Sequence, residues 1–209
     1  LDVSANTALT KLRCGDNQLT SLDVSANTAL TELWCYSNQL SSLDVSSNTS
    51  LITLWCYANQ LTSLDLSINA ALMALFCYYN PLTSLDVSSN TALTGLGCGS
   101  NQLTSLDVSA NIALMTLSCS SNQLSSLDLS ANTALTFLDC SYNQLSSLDV
   151  RNGNNQNNPV FFALNNPNLL CIDVDDSAWS DANWSGIDSW TSFSEDCSAL
   201  PVSDEPILV

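Results

Sequence analysis

The segment LDVSANTALTKLRCGDNQLTS, residues 1–21, recurs almost unchanged as LDVSANTALTELWCYSNQLSS over residues 22–42. The same 21-residue unit begins again at five further leucines: Leu43, Leu64, Leu85, Leu106 and Leu127. Seven copies therefore fill residues 1–147, and a degenerate eighth copy with three extra residues begins at residue 148. One unit cannot bury its own apolar face, but stacked units can, so the repeat predicts a solenoid.

A second, shorter period lies within each unit. The pattern L-x-x-L-x-C-x-x-N over residues 9–17 is followed by L-x-x-L-x-V-x-x-N over residues 19–27. In both halves apolar residues alternate with polar ones, which is typical of a half-buried strand, and no 3.6-residue stripe indicates a helix. The sequence therefore predicts short strands and no helix within the repeats.

The pattern L-x-x-L-x-C-x-x-N-x-L resembles the leucine-rich repeat family, over about residues 1–175. The unit length, the nested halves and the L-D-V-S segment are similar to the bacterial IRREKO class of these repeats. The resemblance implies a right-handed, mostly β solenoid in which the L-x-C segments form one parallel sheet, here called the first-strand sheet. It also implies a second short parallel sheet from the second halves.

The segment after the repeats differs in composition. Residues 171–197, CIDVDDSAWSDANWSGIDSWTSFSEDC, are similar to the C-terminal cap of secreted bacterial leucine-rich repeat proteins. Five large apolar residues in it are expected to cover the core of the last coil: Trp179, Trp184, Ile187, Trp190 and Phe193. We expect a solenoid over residues 1–171, a small cap over 172–197 and a tail or linker over 198–209. Because residue 1 falls within a repeat, we expect the sequence to begin inside a longer protein.

The charge balance excludes several functions. The 209 residues include three Lys+Arg, twenty Asp+Glu and no His, for a formal net charge of −17. Three basic residues cannot form the positive surface that nucleic acid or an anionic membrane requires, and no histidine base is present. No run of about 20 apolar residues indicates a membrane span. The carboxylates recur in a row on an open face, so we expect neither an enzyme nor a cofactor.

Stacking turns each position of the unit into a column, with a spacing of roughly 4.8 Å. Two asparagine columns, at the equivalents of Asn6 and Asn17, are expected to turn the chain and satisfy backbone groups of adjacent coils. An aspartate column points outward: Asp2, Asp23, Asp44, Asp65, Asp86, Asp107, Asp128, Asp149 and Asp173. Serine hydroxyls and backbone N–H groups are expected to offset the repulsion between neighbouring aspartates of this column. A row of Ca²⁺ ions is the alternative, although each site would lack the spread of ligands that calcium takes.

The nine cysteines fall into two groups. Seven occupy an inward column: Cys14, Cys35, Cys56, Cys77, Cys98, Cys119 and Cys140. Parallel strands in register point adjacent Cβ atoms the same way, and a straight row offers no tetrahedral zinc site, so we expect buried thiols here instead of disulfides or a metal. Cys171 and Cys197 flank the segment outside the repeats, and we predict a disulfide between them. This bond implies an extracellular or cell-surface location.

The copies differ mainly on the outward positions of the first strand. Position 13 of the unit runs Arg13, Trp34, Trp55, Phe76, Gly97, Ser118 and Asp139, and position 15 runs Gly15, Tyr36, Tyr57, Tyr78, Gly99, Ser120 and Ser141. Residues two apart on a strand share a face, so six rings form a grid that ends at a floor of glycines. Exposed aromatic patches commonly mark binding sites on soluble proteins.

We predict a non-catalytic recognition domain of a secreted or cell-surface protein, which binds a protein partner through this patch, as the resemblance also implies. The predicted ligand-binding residues are Arg13, Trp34, Tyr36, Trp55, Tyr57, Phe76, Tyr78, Gly97 and Gly99. Carbohydrate binding is the alternative, in which rings contact a sugar face and Asp139, Ser118 and Ser120 bond its hydroxyls. A purely structural spacer, in which the rings only brace neighbouring coils, is a third possibility.

Overall fold

Twelve three-residue strands and one helix build the part of the chain that this computed structural model describes, residues 1–158 and 160–199. The predicted tail lies outside the described residues from residue 200 onward. The strands are Lys11–Arg13 (β1), Glu32–Trp34 (β2), Thr53–Trp55 (β3), Ala74–Phe76 (β4), Gly95–Gly97 (β5), Thr116–Ser118 (β6), Ser126–Asp128 (β7), Phe137–Asp139 (β8), Ser147–Asp149 (β9), Val160–Phe162 (β10), Cys171–Asp173 (β11) and Ser192–Ser194 (β12). Helix α1 is Ser177–Asn183, and short 3-10 helices lie at Asn155–Asn157 and Cys197–Ala199.

Eight strands form the first-strand sheet, in the order β1-β2-β3-β4-β5-β6-β8-β10, and all neighbours are parallel. Each strand pairs in register with its equivalent in the next coil, as Leu33 does with Leu54. The middle leucine is buried in β2 to β6 and in β8, because successive residues of a strand point to opposite faces. The parallel-sheet solenoid predicted from the repeat is confirmed.

The second halves of the units form a sheet only near the C-terminal end. β7, β9, β11 and β12 pair in parallel in the order β12-β11-β9-β7. In the coils before residue 126, the equivalent segments contain turns but no strand. The expected second sheet is therefore restricted to the last coils. The only α-helix in the described residues lies in the cap. Within the same residues, no helix is long and apolar enough to cross a membrane.

Leucine and cysteine columns fill one continuous core. The seven repeat cysteines are free and buried, as predicted. Six of them have no exposed surface, whereas Cys14 in the first coil is 7% exposed. Burial raises the pKa of Cys35 and of Cys98 to about 12, since a thiolate loses its hydration in the core. These thiols therefore act as small apolar groups.

The two asparagine columns join adjacent coils, as predicted. In the first column, Nδ2 of Asn80 donates to the carbonyl of Cys56 in the preceding coil at 3.1 Å and to that of Cys77 at 3.0 Å. Its Oδ1 accepts from the N–H of Leu61 at 3.0 Å. In the second column each amide donates to two carbonyls of the preceding coil, as Asn27 does. These bonds pair backbone groups at the corners, where no strand can pair them.

The cap closes the core with fewer rings than predicted. Trp184 and Phe193 are buried, and Trp184 stacks on Phe161 with ring centroids 4.1 Å apart. Trp179 meets Trp184 edge-on at 5.7 Å. Trp190 is 52% exposed because it lies in the turn before β12, so the expectation that it covers the core is wrong.

The predicted disulfide between Cys171 and Cys197 is formed, with the two Cα atoms 5.8 Å apart and a sequence separation of 26 residues. Replacing both cysteines by serine is expected to lower the free energy of unfolding by about 3.5 kcal/mol, because the unfolded chain gains loop entropy. Calorimetric melting measures this loss, and reduction of the native protein at neutral pH is the matched control. A melting temperature that neither treatment changes would contradict the prediction.

Candidate functional site

Six partly exposed aromatic side chains line the outer face of the first-strand sheet. Three of them end β2, β3 and β4, and the strand register places them side by side. The other three follow two residues later on the same face. The alternation that buries the central leucine and cysteine of each coil turns these rings outward. We call this set the aromatic ladder: Trp34, Trp55, Phe76, Tyr36, Tyr57 and Tyr78.

Most rings of the ladder are stacked. The ring centroids of Trp34 and Trp55 are 4.1 Å apart, and the planes differ by 3°. Those of Tyr36 and Tyr57 are 4.6 Å apart, and those of Tyr57 and Tyr78 are 4.4 Å apart. An aromatic pair contributes about 0.5–1.5 kcal/mol beyond its buried area, so the ladder does brace neighbouring coils.

Phe76 interrupts the stack. Its ring stands at 80° to that of Trp55, with centroids 5.6 Å apart, and leans over Gly97 of the next strand. A Cβ atom at Gly97 would lie 2.7 Å from the Phe76 ring, so a larger residue there would displace the ring. Gly97 and Gly99 are both buried. The glycines therefore do not form the open floor expected from the sequence, because Gly97 accommodates the Phe76 ring.

The turned ring of Phe76 helps to form a small cavity. Trp55, Tyr57, Phe76 and Tyr78 surround about 220 Å³, and we call this cavity the aromatic cup. Phe76 and Tyr78 meet at 70° with centroids 6.3 Å apart. Burial, together with the neighbouring Tyr57, raises the pKa of Tyr78 to about 12, so its hydroxyl is neutral at physiological pH. The cup is smaller than the roughly 300–1,000 Å³ of small-molecule pockets, and it suits a single side-chain group.

Arg13 covers the N-terminal end of the ladder. Its guanidinium carbon lies 3.9 Å from the centroid of the Trp34 ring, and its Nε donates to Glu32 at 2.7 Å. The Nζ atom of Lys11 lies 3.3 Å from the second carboxylate oxygen of Glu32. The hydrogen bond from Arg13 is the largest effect that lowers the pKa of Glu32, and Lys11 adds to it. Both cations at this end are therefore paired with a carboxylate.

Two indole N–H groups of the ladder lack a partner. The Nε1 atoms of Trp34 and Trp55 are buried and meet no acceptor among the described residues. Burying an unpaired donor costs about 1–3 kcal/mol, which is comparable to the gain from stacking. Phenylalanine would stack without this cost. Bracing alone therefore explains the two tryptophans poorly.

Beyond the glycines the outer face of the sheet is mixed: Ser118 and Asp139 are polar, whereas Phe137 of β8 is partly exposed and Phe162 of β10 is 43% exposed. Two exposed tyrosines follow the strands. Ser118 pairs in register with Asp139, whose carboxylate accepts from the N–H of Ser141 at 3.1 Å. Tyr79 is 63% exposed and meets Tyr78 of the ladder with centroids 5.7 Å apart. Tyr142 occupies the same position three coils later and is 61% exposed, but no aromatic ring in the described residues packs against it.

The aspartate column bonds to its own backbone. In each repeat coil the carboxylate accepts from the N–H of the serine two residues later at 2.8–2.9 Å, as Asp23 does from Ser25. Hydrogen bonds from these serines lower the pKa of six aspartates: Asp2, Asp23, Asp44, Asp65, Asp86 and Asp107.

Grooves of up to about 400 Å³ lie between neighbouring coils along this column and are lined mainly by serine and aspartate. No group of three or more Asp, Glu, Cys or His in residues 1–158 and 160–199 is placed to hold a metal ion.

The structure brings the predicted ligand-binding residues together on one face. Sequence reasoning missed the edge-on ring of Phe76 and the cup that it forms. A signal for both exists in the sequence, because Gly97 follows Phe76 in the same column and leaves room for a large ring to turn.

Comparisons with known proteins agree with this fold. A family model described as Leucine Rich repeats (2 copies) matches residues 7–48. The functional domain of InlJ from Listeria monocytogenes, described as including a cysteine ladder, is 33% identical over 83% of this chain, with a TM-score of 0.60. The internalin inlF of the same species is 25% identical over 90% of this chain, with a TM-score of 0.63. No curated protein sequence matches the chain significantly.

The similarity to a third structure concerns the fold alone. Internalin C2 of Listeria monocytogenes is 18% identical over 91% of this chain and 84% of its own length, with a TM-score of 0.69. The present chain spans only 51% of the InlJ structure and 63% of the inlF structure.

Proposed function

We propose that this chain, which belongs to the leucine-rich repeat family, is a non-catalytic recognition domain that binds a protein partner through the aromatic ladder. The binding face would comprise the ladder with Arg13, and Gly97 and Gly99 would lie buried at its edge, where Gly97 leaves room for the Phe76 ring. Its similarity to bacterial internalins supports a role in recognition. Together with the disulfide between Cys171 and Cys197, this similarity also supports a secreted or cell-surface location. In this proposal residues 1–171 form the recognition solenoid and residues 172–197 its cap.

The observation that carries the proposal is the concentration of rings on three adjacent coils. The coil before the ladder and the three coils after it present arginine, glycine, serine or aspartate at the same positions, and an aromatic residue returns there only with Phe162 of β10. Tyr79 extends the ladder into solvent. Tyrosine and tryptophan dominate the energetics of protein interfaces, and contiguous exposed apolar patches on soluble proteins usually have a function.

Carbohydrate binding is the second candidate. The register places Gly97 between Phe76 and Ser118, so an aromatic ring lies two strands away from a hydroxyl. Asp139, however, already accepts the N–H of Ser141, which leaves it less available to sugar hydroxyls. A protein partner therefore agrees better with the arrangement.

Labelled protein probed against arrays of extracellular protein domains and of glycans tests the proposal. We expect at least one protein domain to bind, and a variant with both Trp55→Ala and Tyr57→Ala to lose at least tenfold in affinity, as hot-spot rings do. The matched control is Tyr142→Ala, which removes an exposed ring outside the ladder. Melting curves establish that both variants are folded.

A photo-reactive phenylalanine analogue locates the contact. When the analogue is placed at position 79, it is expected to crosslink to the bound domain. When it is placed at the equivalent position 142, no crosslink is expected. Protein binding that survives the double variant, or the absence of any ladder-dependent protein on the array, contradicts the proposal. Binding confined to glycans and lost in the double variant would establish the second candidate instead.

A further inference from the structure

The aromatic cup has the chemistry of a cation subsite. Its four lining residues are aromatic, and Phe76 is nearly perpendicular to Trp55. Because Tyr36 and Tyr78 cover the two faces of Tyr57, the rings of Trp55 and Phe76 are the ones left to meet a cation. The face of an aromatic ring carries negative partial charge and attracts a cation. A cavity of about 220 Å³ accommodates the head group of one side chain but not a typical small-molecule ligand.

The other end of the ladder already binds a cation of its own. The guanidinium of Arg13 lies over Trp34 at 3.9 Å from the ring centroid. The cup lies at the C-terminal end of the ladder, two coils away from the coil that contains Arg13. The molecule thus contains an internal example of the contact, with an arginine on a ring of the same row.

No cation of the chain itself is available to the cup. The sequence contains only three basic residues, and each lies beside a carboxylate: Lys11 and Arg13 beside Glu32, and Arg151 beside Asp149. The net charge of −17 also produces a potential that attracts basic partners. A complementary cation must therefore come from another molecule.

We propose that the aromatic cup binds an arginine side chain of a basic segment on the protein partner. Arginine is favoured over lysine because its planar guanidinium is weakly hydrated and stacks on aromatic faces. This inference rests on the proposed function, since it names the group by which the partner is recognised. The ladder around the cup then supplies apolar contact area, and the cup supplies selectivity for charge.

The test uses two tripeptides that differ only in charge, acetyl-Gly-Arg-Gly-amide and its citrulline analogue, titrated by NMR at physiological salt. A peptide with one charge avoids multivalent attraction to the aspartate column. We expect the arginine peptide to shift the ring signals of Trp55 and Phe76 in a saturable manner, with an affinity about tenfold above that of the citrulline peptide. Phe76→Leu keeps apolar volume but removes one ring, and is expected to abolish most of this difference. Tyr142→Leu, outside the cup, is expected to change nothing.

Equal affinity for the two peptides, or no saturable shift with either, would overturn the cup assignment. So would an unchanged arginine preference in Phe76→Leu, because the cation would then bind elsewhere on the acidic surface. These outcomes leave the proposed function standing if the array still yields a ladder-dependent protein. Conversely, if the cup prefers the arginine peptide but the array yields no ladder-dependent protein, the proposed function alone is contradicted.

Discussion

Raising the pH from about 7.5 to about 10 is expected to unfold the solenoid, because six thiols in the core can ionise only after unfolding. Burial raises the pKa of these thiols, to about 12 for two of them: Cys35, Cys98, Cys56, Cys77, Cys119 and Cys140. An unfolded cysteine has a pKa of about 8.5. Since the folded pKa lies above the unfolded one, the stabilisation is complete below about pH 8.5 and is lost progressively between that value and about pH 12.

The expected loss is large because the thiols act together. At about pH 10 each unfolded thiol contributes roughly 2 kcal/mol in favour of the unfolded chain, so six contribute roughly 12 kcal/mol. This is comparable to the whole free energy of unfolding of a typical domain, about 5–15 kcal/mol. A core of leucine and valine without cysteine would lack this contribution, and only smaller ones, such as that from Tyr78, whose pKa is raised to about 12, would remain.

Denaturant unfolding at a series of pH values, followed by circular dichroism and thiolate absorbance, measures the effect. The slope of the free energy of unfolding against pH gives the number of protons released on unfolding. The control is Cys98→Ala, which removes one buried thiol and is expected to lower that number by about one. A slope that corresponds to one proton or fewer in the native protein would refute the prediction.

The sequence predicts the columns well because each residue lies next to copies of itself. An asparagine or cysteine that recurs every 21 residues has nearly the same neighbours in every coil, so its role can be inferred from one coil. The buried thiols, the asparagine bonds and the aspartate–serine bonds all follow from this repetition. The disulfide between Cys171 and Cys197 could be predicted for the opposite reason, since these two cysteines fall outside the column.

Features that depend on side-chain orientation could not be predicted in the same way. The repeat places Phe76 in the row of Trp34 and Trp55, but only the space above Gly97 decides that its ring turns edge-on. The unpaired indole N–H groups likewise depend on the surroundings of each ring. In the cap, where no repetition operates, composition alone did not distinguish the buried Trp184 from the exposed Trp190.

Asn101→Ala is expected to lower the free energy of unfolding by about 4 kcal/mol. Nδ2 of Asn101 donates to the carbonyls of Cys77 at 3.2 Å, Cys98 at 2.9 Å and Gly99 at 3.1 Å. Its Oδ1 accepts from the N–H of Leu82 at 3.1 Å. Alanine leaves the N–H of Leu82 without a partner in the core, which costs about 1–3 kcal/mol, and also removes the bonds from Nδ2, worth about 0.5–1.5 kcal/mol each. The three carbonyls keep another donor: Asn80, Asn122 and the N–H of Tyr79.

The position of Asn101 in the middle of the solenoid gives this substitution a second consequence. In a repeat protein each coil contacts only its neighbours, so stability is a sum of coil and interface contributions. Asn101 joins the fifth coil to the fourth, and its loss weakens that one interface. We therefore expect the single denaturation transition to broaden or to split in two, as the coils on either side become partly independent. Gln102→Ala is the matched control, because Gln102 is exposed and its side chain makes no hydrogen bond with the described residues. If Asn101→Ala destabilised the protein no more than Gln102→Ala, the asparagine column would not be what holds the coils together.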